Sequence, residues 1–257
     1  MCIILFSYHQ HPNYSLVLVS NRDEFYHRPT ESAAFWSNAP DLLAGKDLQN
    51  QGTWLGITRT GRIAALTNFR DSDLENKEML SRGWLVRDFL LGQADPEQYL
   101  YAIAEEKDQY NGFNLLVGDR QYLFYYSNRG NEIKRLEPGL YGLSNHLLNT
   151  DWPKVKNGKQ NLQRVVESHT DISVEDLLDI AADANTYPDK ELPQTGVSIE
   201  WERALAPLFI STPTYGTRAS TALLVDKKGL VTFVEKSLVK YPGQWQIQEY
   251  QYQLQGN

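Results

Sequence analysis

The chain contains a single cysteine in 257 residues, and it stands second, behind Met1. Loss of that methionine would leave Cys2 with a thiol and a free α-amino group on one carbon. A thiolate is a nucleophile, and an α-amino group titrates near pH about 8. One residue could then provide both a nucleophile and the base that activates it. The plainer alternative is a small hydrophobe buried at the start of a strand.

Asn21-Arg22-Asp23-Glu24 is the other concentrated polar group. Its residues could orient an amine and contact a substrate, or form a structural ion pair beside a turn. Asn68, like Lys46-Asp47, either lines the same cleft or belongs to a solvated loop. Arg218 is either a surface charge or a clamp for a substrate carboxylate. Asn145 closes the run from Leu140 on a polar residue, and either it or backbone donors could hold an oxyanion. The five histidines show no metal-ligand spacing, and neither H-E-x-x-H nor G-x-S-x-G occurs. No glycine-rich phosphate loop is present either, so no metal and no cofactor is expected. The enzyme options narrow to Cys2 or to none.

Two strands must position this group. Cys2 opens the apolar run Ile3-Ile4-Leu5-Phe6, a turn-rich segment runs from His9 to Tyr14, and Ser15 to Asn21 reads as a second strand. Pairing Tyr8 with Ser15 in an antiparallel hairpin sets Cys2 opposite Asn21. Opposed side chains share a face, with Cβ atoms roughly 4.5–5.5 Å apart. Asp23 then points the same way if the strand continues. A slip of one residue turns the whole set to the other face.

Both strands are apolar at consecutive positions, as in strands covered on both sides. A long ordered loop with some strand is expected over 27–52, then a hairpin of Thr53–Thr58 and Arg62–Asn68. Helices are expected over Ser81–Leu91 and from Pro96, with Asp95 as N-cap. Strands follow at Asn114–Gly118, Tyr122–Tyr126 and Leu140–Asn145. Further helices are expected near Lys154–Glu167, Val174–Ala184 and Ile199–Leu208, with Ser173 and Ser198 as caps. Strands Ala219–Val225 and Leu230–Val234 close the pattern. Strand runs alternating with helix pairs predict an α+β fold, a four-layer αββα sandwich of two antiparallel sheets flanked by helices, as one domain over 1–257.

Charged residues make up 22% and hydrophobic ones 41%, an ordinary globular balance. The net charge of −7 argues against nucleic acid as the main partner. One cysteine excludes an internal disulfide. No basic leader and no run of eighteen apolar residues is present, so no transmembrane segment and a cytoplasmic location are expected.

The chain resembles the NRDE family, also called the transport and Golgi organisation protein family. The likeness rests on Met1-Cys2-Ile3, Asn21-Arg22-Asp23-Glu24 with Arg28-Pro29, and Ala44-Gly45-Lys46-Asp47. It continues through Gly52-Thr53-Trp54-Leu55-Gly56, Thr67-Asn68-Phe69-Arg70, Ser81-Arg82-Gly83 and Tyr110 to Leu115, and ends with Leu143-Ser144-Asn145 and Tyr215 to Thr221. The resemblance implies the αββα fold of N-terminal nucleophile hydrolases. It also implies links to haem trafficking and to lipid or acyl-coenzyme A metabolism.

Cysteine amidases of that fold, such as bile salt hydrolases and penicillin V acylases, place an arginine and an aspartate near the cysteine. Cys2, Arg22 and Asp23 match them in kind, and Asn145 and Arg218 match by neighbourhood. Here Arg22 and Asp23 are adjacent, and adjacent strand residues face opposite ways. Both meet Cys2 only if the strand has ended at Asn21. The expected function is hydrolysis of a small-molecule amide or acyl substrate. Cys2, Arg22, Asp23 and Asn145 would be catalytic, and Asn21, Glu24, Asn68 and Arg218 would bind substrate. The rival is a carrier of haem or of a lipid or acyl ligand on the same fold, without the chemistry.

Overall fold

The computed structural model describes residues 2–71, 76, 78–168 and 170–256. From the amino terminus the chain forms β1 (Cys2–Tyr8), β2 (Tyr14–Phe25), β3 (Thr30–Trp36), β4 (Ala39–Asp47), β5 (Leu55–Thr58) and β6 (Ile63–Asn68). Helices α1 (Gly83–Leu91) and α2 (Pro96–Glu105) precede β7 (Phe113–Gly118), β8 (Leu123–Ser127), β9 (Lys134–Arg135) and β10 (Gly139–Leu143). Then come α3 (Pro153–Ser168), α4 (Val174–Ala181) and α5 (Ile199–Leu205), followed by β11 (Tyr215–Asp226), β12 (Leu230–Lys240) and β13 (Gln244–Gln253). The architecture is α+β, with two antiparallel sheets and flanking helices, as the strand and helix pattern implied.

The chain gathers into two compact units. The first comprises Met1–His27, Pro138–Ser144 and Leu148–Tyr252, and the second Arg28–Glu137, Asn145–Leu147 and Gln253–Asn257. The six-stranded sheet has the order β10-β1-β2-β11-β12-β13. One face of it carries Ile3, Leu5, Val17, Val19, Ala222 and Leu224, buried against Val155 and Leu162 of α3 and Leu177 and Ile180 of α4. These are alternate positions of β1, β2 and β11, so Cys2, Ile4, Ser20 and Arg22 belong to the opposite face.

The seven-stranded sheet runs β3-β4-β5-β6-β7-β8-β9. Leu42, Leu66, Leu115 and Phe124 meet Leu85, Phe89 and Leu100 of α1 and α2 in its core. Asp95 caps α2 as expected, accepting from the N–H groups of Glu97 and Gln98. Ser173 and Ser198 cap α4 and α5 in the same way.

Three expectations change. Within 27–52, where a long loop with some strand was expected, most residues form the β3–β4 hairpin. β3 is a sheet edge with only Ala33 and Trp36 of its residues buried, and Pro40 sits near the start of β4. Edge strands accept such polar and proline-bearing sequences. β13 was not expected at all. It is another edge, and none of its glutamine-rich residues is buried. Finally, β2 does not stop at Asn21 but continues to Phe25, because β11 pairs with it as far as Tyr215–Phe25. Among the described residues no helix is long and apolar enough to cross a membrane.

Gly52 shows why one of the quoted motifs needs glycine. A Cβ there would lie 2.7 Å from the backbone carbon of Gly83, where the Thr53 N–H donates to the Gly83 carbonyl. Backbone cannot rotate aside as a side chain can. Gly52→Ala is expected to cost about 1–3 kcal/mol and to lower the melting temperature by several degrees. Gly256→Ala, with nothing within 4 Å, should leave it unchanged. Equal melting of the Gly52→Ala and wild-type proteins would refute the close approach.

Candidate functional site

The register of β1 on β2 places Cys2 directly opposite Arg22, and Ile3 opposite Asn21. This is one residue away from the expected pairing. Its cause lies in the hairpin loop, where the His9 N–H donates to the Ser15 carbonyl at 2.8 Å and Tyr8 therefore pairs with Leu16. Buried His11 closes the loop, its Nδ1 accepting from the N–H groups of Asn13 and Tyr14. The shift exchanges the expected neighbour of Cys2. Arg22, 5% exposed, takes the place assigned to Asn21.

Asn21 lies on the helix-bearing face. Its amide donates to the carbonyls of Ala181 (2.8 Å) and Leu208 (2.9 Å), and its oxygen accepts from Ser220 Oγ (2.7 Å). Those bonds tie α4 and the segment after α5 to the sheet.

Asp23 also turns away from the Arg22 side. Its Oδ1 accepts from Thr217 Oγ1 at 2.7 Å, and Thr217 Oγ1 in turn accepts from the Ile210 N–H. Asp23 nonetheless acts on Cys2 by a different route, through its backbone N–H and the charge of its carboxylate. Arg22 and Asp23 therefore both reach Cys2 although β2 does not end at Asn21.

Arg218 enters through a bulge. β11 pairs Thr217 with Asp23 and Ala219 with Arg22, which leaves Arg218 as the extra residue. Bulges of this kind re-aim a side chain. Arg218 is 8% exposed, and its Nη1 donates to the carbonyls of Phe25 (3.0 Å) and Tyr26 (3.2 Å). Burial and the like charge of Arg22 hold its guanidinium below the ordinary value, while Glu24 and Tyr26 pull it up. Half-buried Glu24 accepts from the Phe25 N–H. Tyr26 stacks on Tyr241 with ring centroids 4.1 Å apart.

Residue reading missed Thr217 and this tyrosine pair. Thr217 could have been found, since it sits beside Arg218 in a quoted motif. Tyr241 follows β12 at a distance no local signal bridges.

The Cys2 thiol is pushed above its ordinary value, first by burial and then by the Asp23 carboxylate. The charge of the chain's amino terminus, the Arg22 guanidinium and the Asp23 N–H pull it down without cancelling the rise. Ser144 Oγ, just past β10, donates to the Cys2 carbonyl at 3.4 Å.

Asn145 and Asn68 belong to the second unit, where the Asn145 amide donates to the Asn68 carbonyl at 2.9 Å. The Arg70 N–H donates to the Asn145 carbonyl, and Asn114 holds the next carbonyl, that of His146. Asp47 is a structural knot rather than a loop charge. It is ion-paired to Arg28 at 2.6 Å and accepts from the N–H groups of Gln49 and Asn50.

The family model for Transport and Golgi organisation 2 matches residues 1–240. The chain belongs to this family. The Transport and Golgi organization protein 2 homolog of Bos taurus is 37% identical over 276 residues, covering 99% of this chain and all of the relative. The Homo sapiens homolog has the same identity and coverage. The Drosophila melanogaster Transport and Golgi organization protein 2 is 30% identical over 95% of both chains.

Among solved structures, the Caenorhabditis elegans N-acylethanolamine-hydrolyzing acid amidase ortholog aligns over 87% of this chain and 92% of its own, at 9% identity and a TM-score of 0.46. The C2A mutant of conjugated bile acid hydrolase from Clostridium perfringens aligns over 98% and 97%, at 11% identity and a TM-score of 0.42.

In this Transport and Golgi organisation 2 family member, the quoted motifs divide by place. Arg28 with Asp47, Gly52 with Gly83, and Asn114 build the second unit. Cys2, Arg22, Asp23, Thr217 and Arg218 gather in the first.

The signs of these influences give a labelling test. Iodoacetamide should react slowly near neutral pH and faster only above about pH 8.5, the ordinary range of a cysteine. Asp23→Asn removes a raising influence and should speed labelling at a given pH. Arg22→Gln removes a lowering one and should slow it. The reverse order would contradict the electrostatics of the site.

Proposed function

We propose that this protein hydrolyses linear amide bonds, with Cys2 as the nucleophile once Met1 has been removed. The observation that carries the reading is the placement of Cys2 opposite Arg22, with the Asp23 N–H and carboxylate acting on its sulfur. A thiol held above its ordinary range needs a local base, and the α-amine freed on the same carbon supplies one.

In the first step Cys2 Sγ bonds to the amide carbon while its proton passes to the α-amine. That proton moves to the leaving nitrogen as the C–N bond breaks, giving a free amine and a thioester. Water then attacks the thioester, releasing the acid and restoring the thiol. Arg22 steadies negative charge beside the sulfur, and Arg218, re-aimed by its bulge, meets an anionic part of the substrate.

A non-catalytic carrier of haem or of an acyl ligand is the second reading. It is favoured by the burial that raises the thiol. The two readings part on the Met1-processed protein, identified by intact mass and screened against a panel of acyl-amides. The hydrolase turns over at least one of them, and Cys2→Ser lowers the rate by about a hundredfold or more, because a hydroxyl is a far weaker nucleophile without strong activation. No turnover on any amide, with haem and acyl binding unaltered by Cys2→Ser, would leave the carrier.

A further inference from the structure

Glu235 is a charged side chain with 1% exposure on β12, and the chemistry above does not use it. Register fixes which way it points. Ser20, Thr221 and Glu235 pair across β2, β11 and β12, so they share one face. Cys2, Arg22, Ala219 and Ser237 form the next row on that same face. Glu235 thus lies on the Cys2 side of the sheet, one row along and two strands over from Arg22. Two strand spacings and one two-residue step along the strand combine to about 12 Å, which an arginine and a glutamate span together. The residue between them in the Arg22 row is only Ala219, and a methyl group leaves the path across β11 open.

A carboxylate buried this deeply stays charged only with a cation to pair with it. Among the described residues of this sheet, Arg22 and Arg218 are the guanidiniums on that face. Arg218 responds to Arg22, Glu24 and Tyr26 but is aimed toward Phe25 and Tyr26, away from the Glu235 row. Lys236, the next residue along β12, is exposed on the other face. Arg22 is the remaining partner.

We infer that Glu235 is a positioning residue: it draws the Arg22 guanidinium across β11, and so sets how much positive charge the Cys2 sulfur feels. The inference rests on the hydrolase reading only for the use made of that charge. Its test therefore reads the thiol and not turnover.

Cys2 alkylation by iodoacetamide is followed against pH in the wild type, Glu235→Gln, Arg22→Gln and the double variant. Losing the Glu235 charge leaves Arg22 uncompensated beside the sulfur. That lowers the thiol and speeds labelling near neutral pH by about two- to fivefold, after allowing for the weaker nucleophilicity of a lower-pKa thiolate. In the Arg22→Gln background Glu235→Gln should change nothing, and Glu235→Asp should restore the wild-type profile. An equal effect in both backgrounds, or none in either, overturns the assignment.

If a single variant is too unstable to label, stability reads the same coupling. Breaking one side of a buried ion pair costs more than removing both. The double variant should then outlast the worse single variant in denaturant, and a double variant no more stable than it overturns the assignment equally.

Discussion

The pairing of β1 with β2 decides which side chains can act on Cys2. With Tyr8 on Leu16 and Cys2 on Arg22, the even positions of β2 share the face of the sulfur and the odd ones go to the helices. Every other feature of the site follows from that division. Asn21 is committed to α4 and Ser220, Asp23 to Thr217, and Arg22 is left beside the thiol. The bulge at Arg218 then adds a second guanidinium without altering the register above it. A slip of one residue would exchange the roles of all four polar residues at once.

The thiol experiences opposing influences of known sign. Burial and Asp23 favour the neutral form, whereas the amino-terminal charge, Arg22 and one N–H favour the thiolate. A cysteine so placed is guarded rather than primed. The second unit has a different internal logic. Arg28 and Asp47 bind the ends of the β3–β4 hairpin, and Asn114 receives the Tyr125 hydroxyl while donating to Thr67 and the His146 carbonyl. There the family motifs serve backbone architecture.

Much of this was legible in the residues. Asp95-Pro96 announced a helix start, and Ser173 and Ser198 announced two more. The consecutive apolar runs after Cys2 and before Asn21 announced buried strands, and Arg22 and Asp23 stood out as charges at the end of the second run. The pairing itself was not legible, for a physical reason. Strands apolar on both faces carry no alternation to report which side is which. Register then falls to the loop, where buried His11 caps two backbone amides and makes the turn longer than its composition suggests. The extension of β2 through Arg22, Asp23 and Glu24 to Phe25 was equally hidden, since it depends on pairing with β11, almost two hundred residues away in sequence. Glu235 carries no local signal at all. Only the pairing of β2, β11 and β12 puts it on the face that Arg22 occupies.

The unique cysteine makes the register directly measurable. Opposed residues in an antiparallel pair have Cα atoms about 4.5–5.5 Å apart, within the span of a disulfide. Arg22→Cys and Asn21→Cys can each be oxidised under non-reducing conditions, and the intramolecular bond read by intact mass as the loss of two hydrogens. The account predicts that Arg22→Cys closes a bond to Cys2 and that Asn21→Cys keeps both thiols free. A bond formed by Asn21→Cys and not by Arg22→Cys would contradict it, and with it the assignment of Arg22 to the sulfur.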